Sequence, residues 1–158
     1  MRTCLAISIA VLLSCAFAQA DDSAKTAFTD LNYCDLVKNP SSFSGKRIRI
    51  RAIYSYMYEV SVLKPPTCCP ESGVSIWVEV DDNSFNSNSI RLHRRFPKDA
   101  GYVLGTFVGR FESGESYGHM QYRFQLVVEG IEKVEAKAKG YAASKPRWIP
   151  KNCESPKD

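Results

Sequence analysis

The stretch Ile48-Arg49-Ile50-Arg51-Ala52-Ile53-Tyr54-Ser55-Tyr56-Met57-Tyr58-Glu59-Val60-Ser61-Val62 decides the fold. Its even positions are apolar or aromatic throughout. Its odd positions are mostly polar: Arg49, Arg51, Ser55, Glu59 and Ser61, with Ile53 and Met57 as exceptions. Successive strand side chains point to opposite faces, so this period of two reads as a strand with one buried face. The run is longer than the usual strand of about 5–6 residues, which predicts a strongly bent strand or two strands meeting at a bulge. Long, coiled first strands of this kind are typical of small barrels.

Upstream, Thr29 or Asp30 can cap a short helix running to about Lys38, with Tyr33, Cys34, Leu36 and Val37 as its apolar stripe. Asn39-Pro40 ends it, because proline disfavours helical geometry in the residue before it. Downstream, Val74, Ile76, Val78 and Val80 alternate with Ser75, Trp77 and Glu79 to give a second strand. Asp81 to Ser89 is a polar loop, and Ile90 to Asp99 is a charged surface strand or short helix. Tyr102 to Phe111 is a third strand, with Gly105 and Gly109 marking a close neighbour or a kink. Glu112 to Gly118 reads as a turn or loop. Tyr122, Phe124, Leu126 and Val128 define a fourth strand that Ile131 and Val134 continue or close. Four or five strands and one short helix favour a mainly β fold, a five-stranded OB-like barrel over residues 28–134, with residues 135–158 as an irregular C-terminal tail.

The chain has 158 residues, 44% of them hydrophobic and 24% charged, with a net charge of +4. That is one globular domain, and its mild basicity argues against an obligate nucleic-acid binder. Residues 1–20 read as a secretory signal peptide. Arg2 leads the apolar run Leu5 to Leu13, and Ala18-Gln19-Ala20 provides a small-x-small cleavage site. Leu12-Leu13-Ser14-Cys15 also fits a lipobox, in which a lipidated Cys15 would anchor the protein to a membrane. The expected location is therefore periplasmic or extracellular, with a membrane as partner only if Cys15 is lipidated.

Cys34, Cys68, Cys69 and Cys153 remain after the leader. Four cysteines in an exported chain read as two disulfides, with three possible connectivities. A bridge between adjacent cysteines is strained, so Cys68 and Cys69 are each expected to reach elsewhere, one to Cys34 and the other to Cys153. The second of these ties the tail back. Each bridge would contribute about 2–4 kcal/mol. No C-x-x-C occurs, and His93 and His119 lie in different segments, so no metal and no other cofactor is expected.

Leu36-Val37-Lys38-Asn39-Pro40, then Phe43, Gly45-Lys46 and the alternating strand, form one set of motifs. The Cys/Pro loop before Ile76-Trp77-Val78-Glu79 forms another, and Gly118-His119-Met120 followed by Tyr122, Gln125-Leu126 and Val128 a third. Together they make residues 30–134 resemble small exported OB-fold-like domain proteins of bacteria that carry an N-terminal signal peptide. The resemblance implies fold and export, and no catalytic residue. Ala52 departs from the glycine often found there, as do the doubled Cys68-Cys69 and the long tail.

Five residues are expected to carry binding: Trp77, Tyr117 and His119, and the arginines Arg49 and Arg51. The arginines are a solvated face or a contact for an anionic ligand. Nucleic acid is disfavoured by parity, because the tyrosines occupy the opposite face and a stacking platform needs both on one surface. Trp77 points outward and is covered by Trp148-Ile149 or forms a binding hot spot. His119, with Glu112 and Glu115 nearby, has the chemistry of proton transfer, but no nucleophile motif accompanies it. Arg91, His93, Arg94 and Arg95 form a basic cluster. Asp81-Asp82-Asn83 has a calcium-loop composition without the spacing. The expected function is an exported, non-enzymatic binding or interaction module. It would meet an envelope protein or an anionic ligand, with residues 64–73 and 112–118 as its variable loops. An envelope hydrolase using His119 and a carboxylate is the alternative, as is an inhibitor or structural envelope protein.

Overall fold

The computed structural model describes residues 27–67, 73–119, 122–140 and 146–150, with Glu115 by its backbone only. The expected signal peptide, Cys15, Cys68, Cys69 and Cys153 lie outside the described residues. Asn32 sets the first local structure. Its side chain accepts from the Cys34 N–H at 2.9 Å and so caps helix α1, Tyr33–Lys38. The cap falls later than the expected Thr29 or Asp30. Those residues belong instead to a short strand β1, Thr29–Leu31, which runs parallel to Ile48, Arg49 and Ile50. Tyr33, Leu36 and Val37, spaced for one helical face, are buried. The Tyr33 hydroxyl lies 2.8 Å from the Leu63 carbonyl and 3.0 Å from that of Val74, and burial pushes its pKa far above the ordinary phenol value.

The alternating stretch forms β2, Arg47–Met57, and then turns back through Tyr58 and Glu59 into β3, Val60–Lys64. This corrects the expected bent strand or pair of strands meeting at a bulge: the chain makes a two-residue hairpin. Tyr58 sits at its tip with φ 45° and 87% exposure, not on the buried face. Ile48, Ile50 and Ala52 are fully buried, as parity predicts. From Ile53 onward the opposite side is buried as well. Ile53 joins Tyr102, Leu104 and Ile149 in a second apolar cluster, against which Trp148 packs.

β4, Ile76–Val80, pairs antiparallel with β3 and parallel with β6, Tyr122–Lys139. Between them the chain forms helix α2, Ser87–His93, capped by Asn86, and the long strand β5, Ala100–Tyr117. β5 pairs antiparallel with β6 and, over Ala100 to Arg110, with all of β2. Among the described residues six strands form one sheet in the order β1-β2-β3-β4-β6-β5, and the β2–β5 pairing adds a contact between strands far apart in that order. The fold is mainly β.

Two boundaries move outward. Residues 112–117, expected as a loop, extend β5, and β6 continues to Lys139, past the expected start of the tail. Gly105 and Gly109 behave as expected. Register shifts of the β5–β6 ladder fall beside both, and a Cβ on either would collide with a β6 carbonyl, of Lys133 or Val127. β4 stops level with Val128, and further along β6 Ser89 of α2 takes over that edge. The Ser89 hydroxyl accepts from Ile131 N–H at 2.9 Å and donates to Ile131 C=O at 3.1 Å, so both backbone groups are satisfied.

Candidate functional site

The outward arginines of β2 are not free in solvent. Arg47, Arg49 and Arg51 lie level with Arg110, Val108 and Thr106 of β5 and reach past that strand to β6. Arg47 meets Glu129 through Nε at 2.8 Å and Nη2 at 2.6 Å. Arg49 grips Glu132 with two bonds, at 2.7 and 2.8 Å, and sends Nη1 to Asp30 at 3.1 Å. Arg51 binds both oxygens of Glu135, at 3.0 and 2.8 Å. The Phe28 ring lies 4.3 Å from the Arg47 guanidinium and 5.7 Å from that of Arg49. Hydrogen bonds donated to Glu132 and Asp30 raise the Arg49 pKa, and the hydrogen bond from Arg51 holds Glu135 below the ordinary carboxylate range. This ladder explains the alternating arginines: two-point forks match carboxylate geometry, and their charge is neutralised on site. Beside it runs an open groove of about 540 Å³ whose polar lining includes Asp30, Asn32, Arg49, Arg51, Thr67 and Thr106.

Trp77 and His119 meet at a different place, the tip of the β5–β6 hairpin, to which Tyr117 also belongs. Tyr117 is in register with Tyr122, and the chain turns through Gly118. Gly118 has φ +62°, and a Cβ there would stand 2.5 Å from Cδ2 of Trp77. Only glycine lets the turn lie on the indole face. Tyr122 stacks on Trp77 with centroids 5.5 Å apart at 27°, and exposed His119 approaches edge-on at 6.2 Å. Trp77 is therefore covered by the hairpin tip. Trp148 and Ile149, expected over it, sit instead against Ile53, Tyr102 and Leu104. Tyr122 is the member of this cluster that sequence reasoning missed. Its register opposite Tyr117 across a glycine turn was the available signal.

Glu112, one expected carboxylate partner of His119, is ion-paired with Arg110 at 3.0 Å, and the Glu115 side chain is outside the described set. In the expected basic cluster, Arg91 bonds Asn88 at 2.7 Å, and His93 stands edge-on to both Phe85 and Phe96. Asp81 caps a short 3-10 turn, Asp82–Ser84, through Asn83 N–H and Ser84 Oγ. Among the described residues no three His, Cys, Asp or Glu side chains gather to hold a metal ion, and no helix is long and apolar enough to cross a membrane. Cys34 is disulfide-bonded.

No family model matches the chain, and no curated protein matches it.

Proposed function

We propose that the protein is an exported OB-type β-barrel acting as a non-enzymatic binding module, with the aromatic hairpin tip as its contact surface. The barrel reading is supported by the pairing circuit β2-β3-β4-β6-β5-β2, by the parallel β4–β6 pair, and by α2 standing between β4 and β5 in the chain. OB barrels bind ligands on the face of their second and third strands, beside the loop between strands four and five. In this chain that is the neighbourhood of β4 and the β5–β6 turn. Export is supported by the leader pattern of residues 1–20 and by the bonded Cys34. We take Cys34 to pair with one of Cys68 and Cys69, and Cys153 with the other.

The observation that carries the binding reading is the contrast between the two predicted sets of site residues. Arg49 and Arg51 are occupied by Glu132 and Glu135. Exposed His119 stands edge-on to the Trp77–Tyr122 stack, and half-exposed Tyr117 lies opposite Tyr122 in the hairpin. Aromatic side chains held rigid lose little entropy on contact and often dominate interface energetics.

The test is affinity capture from an envelope extract with three immobilised proteins: wild type, His119→Ala/Tyr117→Ala, and Arg49→Gln/Arg51→Gln. The proposal expects a species held by wild type and by the arginine variant and lost from the tip variant. Equal retention by the tip variant refutes the assigned surface. Hydrolytic activity lost with His119→Ala alone would replace the binding reading with the enzymatic one.

A further inference from the structure

A second concentration of cations is built differently. The connection from α2 to β5, residues 94–99, crosses the end of β6 and encloses with it a groove of about 380 Å³. Arg95 and Lys98 line one side, Lys137 and Lys139 the other, and Phe96 and Pro97 lie between them. Among the described residues none of these four cations is in an ion pair. Glu135, on the same strand as Lys137, is held by Arg51 and Lys133. Asp99, beside Lys98 in sequence, is the carboxylate nearest in the chain.

The groove wall is fixed from beneath. The Tyr56 hydroxyl donates to the Pro97 carbonyl, Ala100 N–H donates to Lys98 C=O at 2.8 Å, and Lys137 Nζ donates to Arg95 C=O at 3.0 Å. The Phe96 ring packs against His93, Tyr54 and Tyr56. Four like charges on a hydrogen-bonded concave wall repel one another, and an anion seated among them relieves that repulsion.

We infer that this groove is a binding site for a compact anion carrying two or more phosphate groups. One phosphate would leave most of the positive charge uncompensated. The groove is of small-ligand size, and four cations are too few to follow a nucleic-acid backbone. Lysine and arginine are the side chains suited to phosphate oxygens, as point charges and as planar forks respectively. The inference does not depend on the hairpin tip.

The experiment is titration calorimetry of the full chain with tripolyphosphate at low ionic strength. Binding is expected for wild type. Lys98→Gln/Lys139→Gln, which touches no hydrogen bond of the wall, should weaken it about tenfold or more, as loss of two charged contacts implies. Arg91→Gln, on the exposed side of α2, should leave it unchanged. No binding to tripolyphosphate overturns the inference, and so does an equal loss in the Arg91→Gln protein, which would indicate diffuse charge attraction. Co-sedimentation with vesicles of phosphatidylcholine and phosphatidylglycerol separates the sources. Vesicle binding that tripolyphosphate competes away assigns the site to a lipid headgroup. Tripolyphosphate binding without vesicle binding assigns it to a soluble anion.

Discussion

Arg47 to Arg51 and Arg91 to Lys98 look alike as sequence: arginines interleaved with apolar residues. The fold treats them oppositely. The first set lies on a flat strand face, level with a neighbour that brings Glu129, Glu132 and Glu135 within reach, and its charge is cancelled. The second leads into a loop that curls against Lys137 and Lys139, and its charge accumulates. Positive charge in a sequence thus has no functional meaning until the strand that will face it is known.

Three experiments press on this contrast. The largest effect is expected from Ile50→Ala. Ile50 is fully buried between Arg49 and Arg51, and its packing fixes which way both arginines point. Removing it should cost about 2–5 kcal/mol, read as a lower urea midpoint, with the ladder loosened in the same step. Next is Ser89→Ala, which leaves the Ile131 N–H and C=O without their partner. A loss of about 1–3 kcal/mol is expected, with faster amide exchange at Ile131 and in α2, the element that leads into the cationic groove.

The smallest effect belongs to the ladder itself. The pairs are partly exposed, so Glu135→Gln should cost less than about 1 kcal/mol at pH 7. Arg51 holds the Glu135 pKa below its ordinary 4.5, so the pair's contribution is complete above that value and disappears as pH falls through the lowered one. Urea midpoints of wild type and variant should differ at pH 6 and converge below pH 4.5. A difference that persists in acid would show that Glu135 acts through packing and not charge.

The sequence carried the β2 alternation, because local parity needs no knowledge of the partner. It also carried the special role of Gly105 and Gly109. The β2–β3 turn was hidden because Tyr58 and Glu59 replace the glycine or asparagine that usually signals a two-residue hairpin. β1 was hidden because three residues make no pattern, and their strand character comes from the edge of β2. Residues 112–117 carry the composition of a loop, and become strand through pairing with β6. Of the site, Trp77 and His119 were legible as residues, but what covers Trp77 was not. The partners of Arg49 and Arg51 lie on a strand that follows three intervening ones, beyond any local reading. Lys137 and Lys139 looked like tail, and only the length of β6 places them opposite Arg95.

The last strand has a consequence for synthesis. β6 supplies partners to β4 and to most of β5, and it carries every glutamate of the arginine ladder. A nascent chain that has not yet released Tyr122 to Lys139 can close the β2–β3 hairpin, but β4 then lacks one neighbour, Arg47 and Arg51 lack their glutamates, and Arg49 has only Asp30. Such a topology postpones cooperative folding until Lys139 has left the ribosome, so the polypeptide stays threadable up to that point.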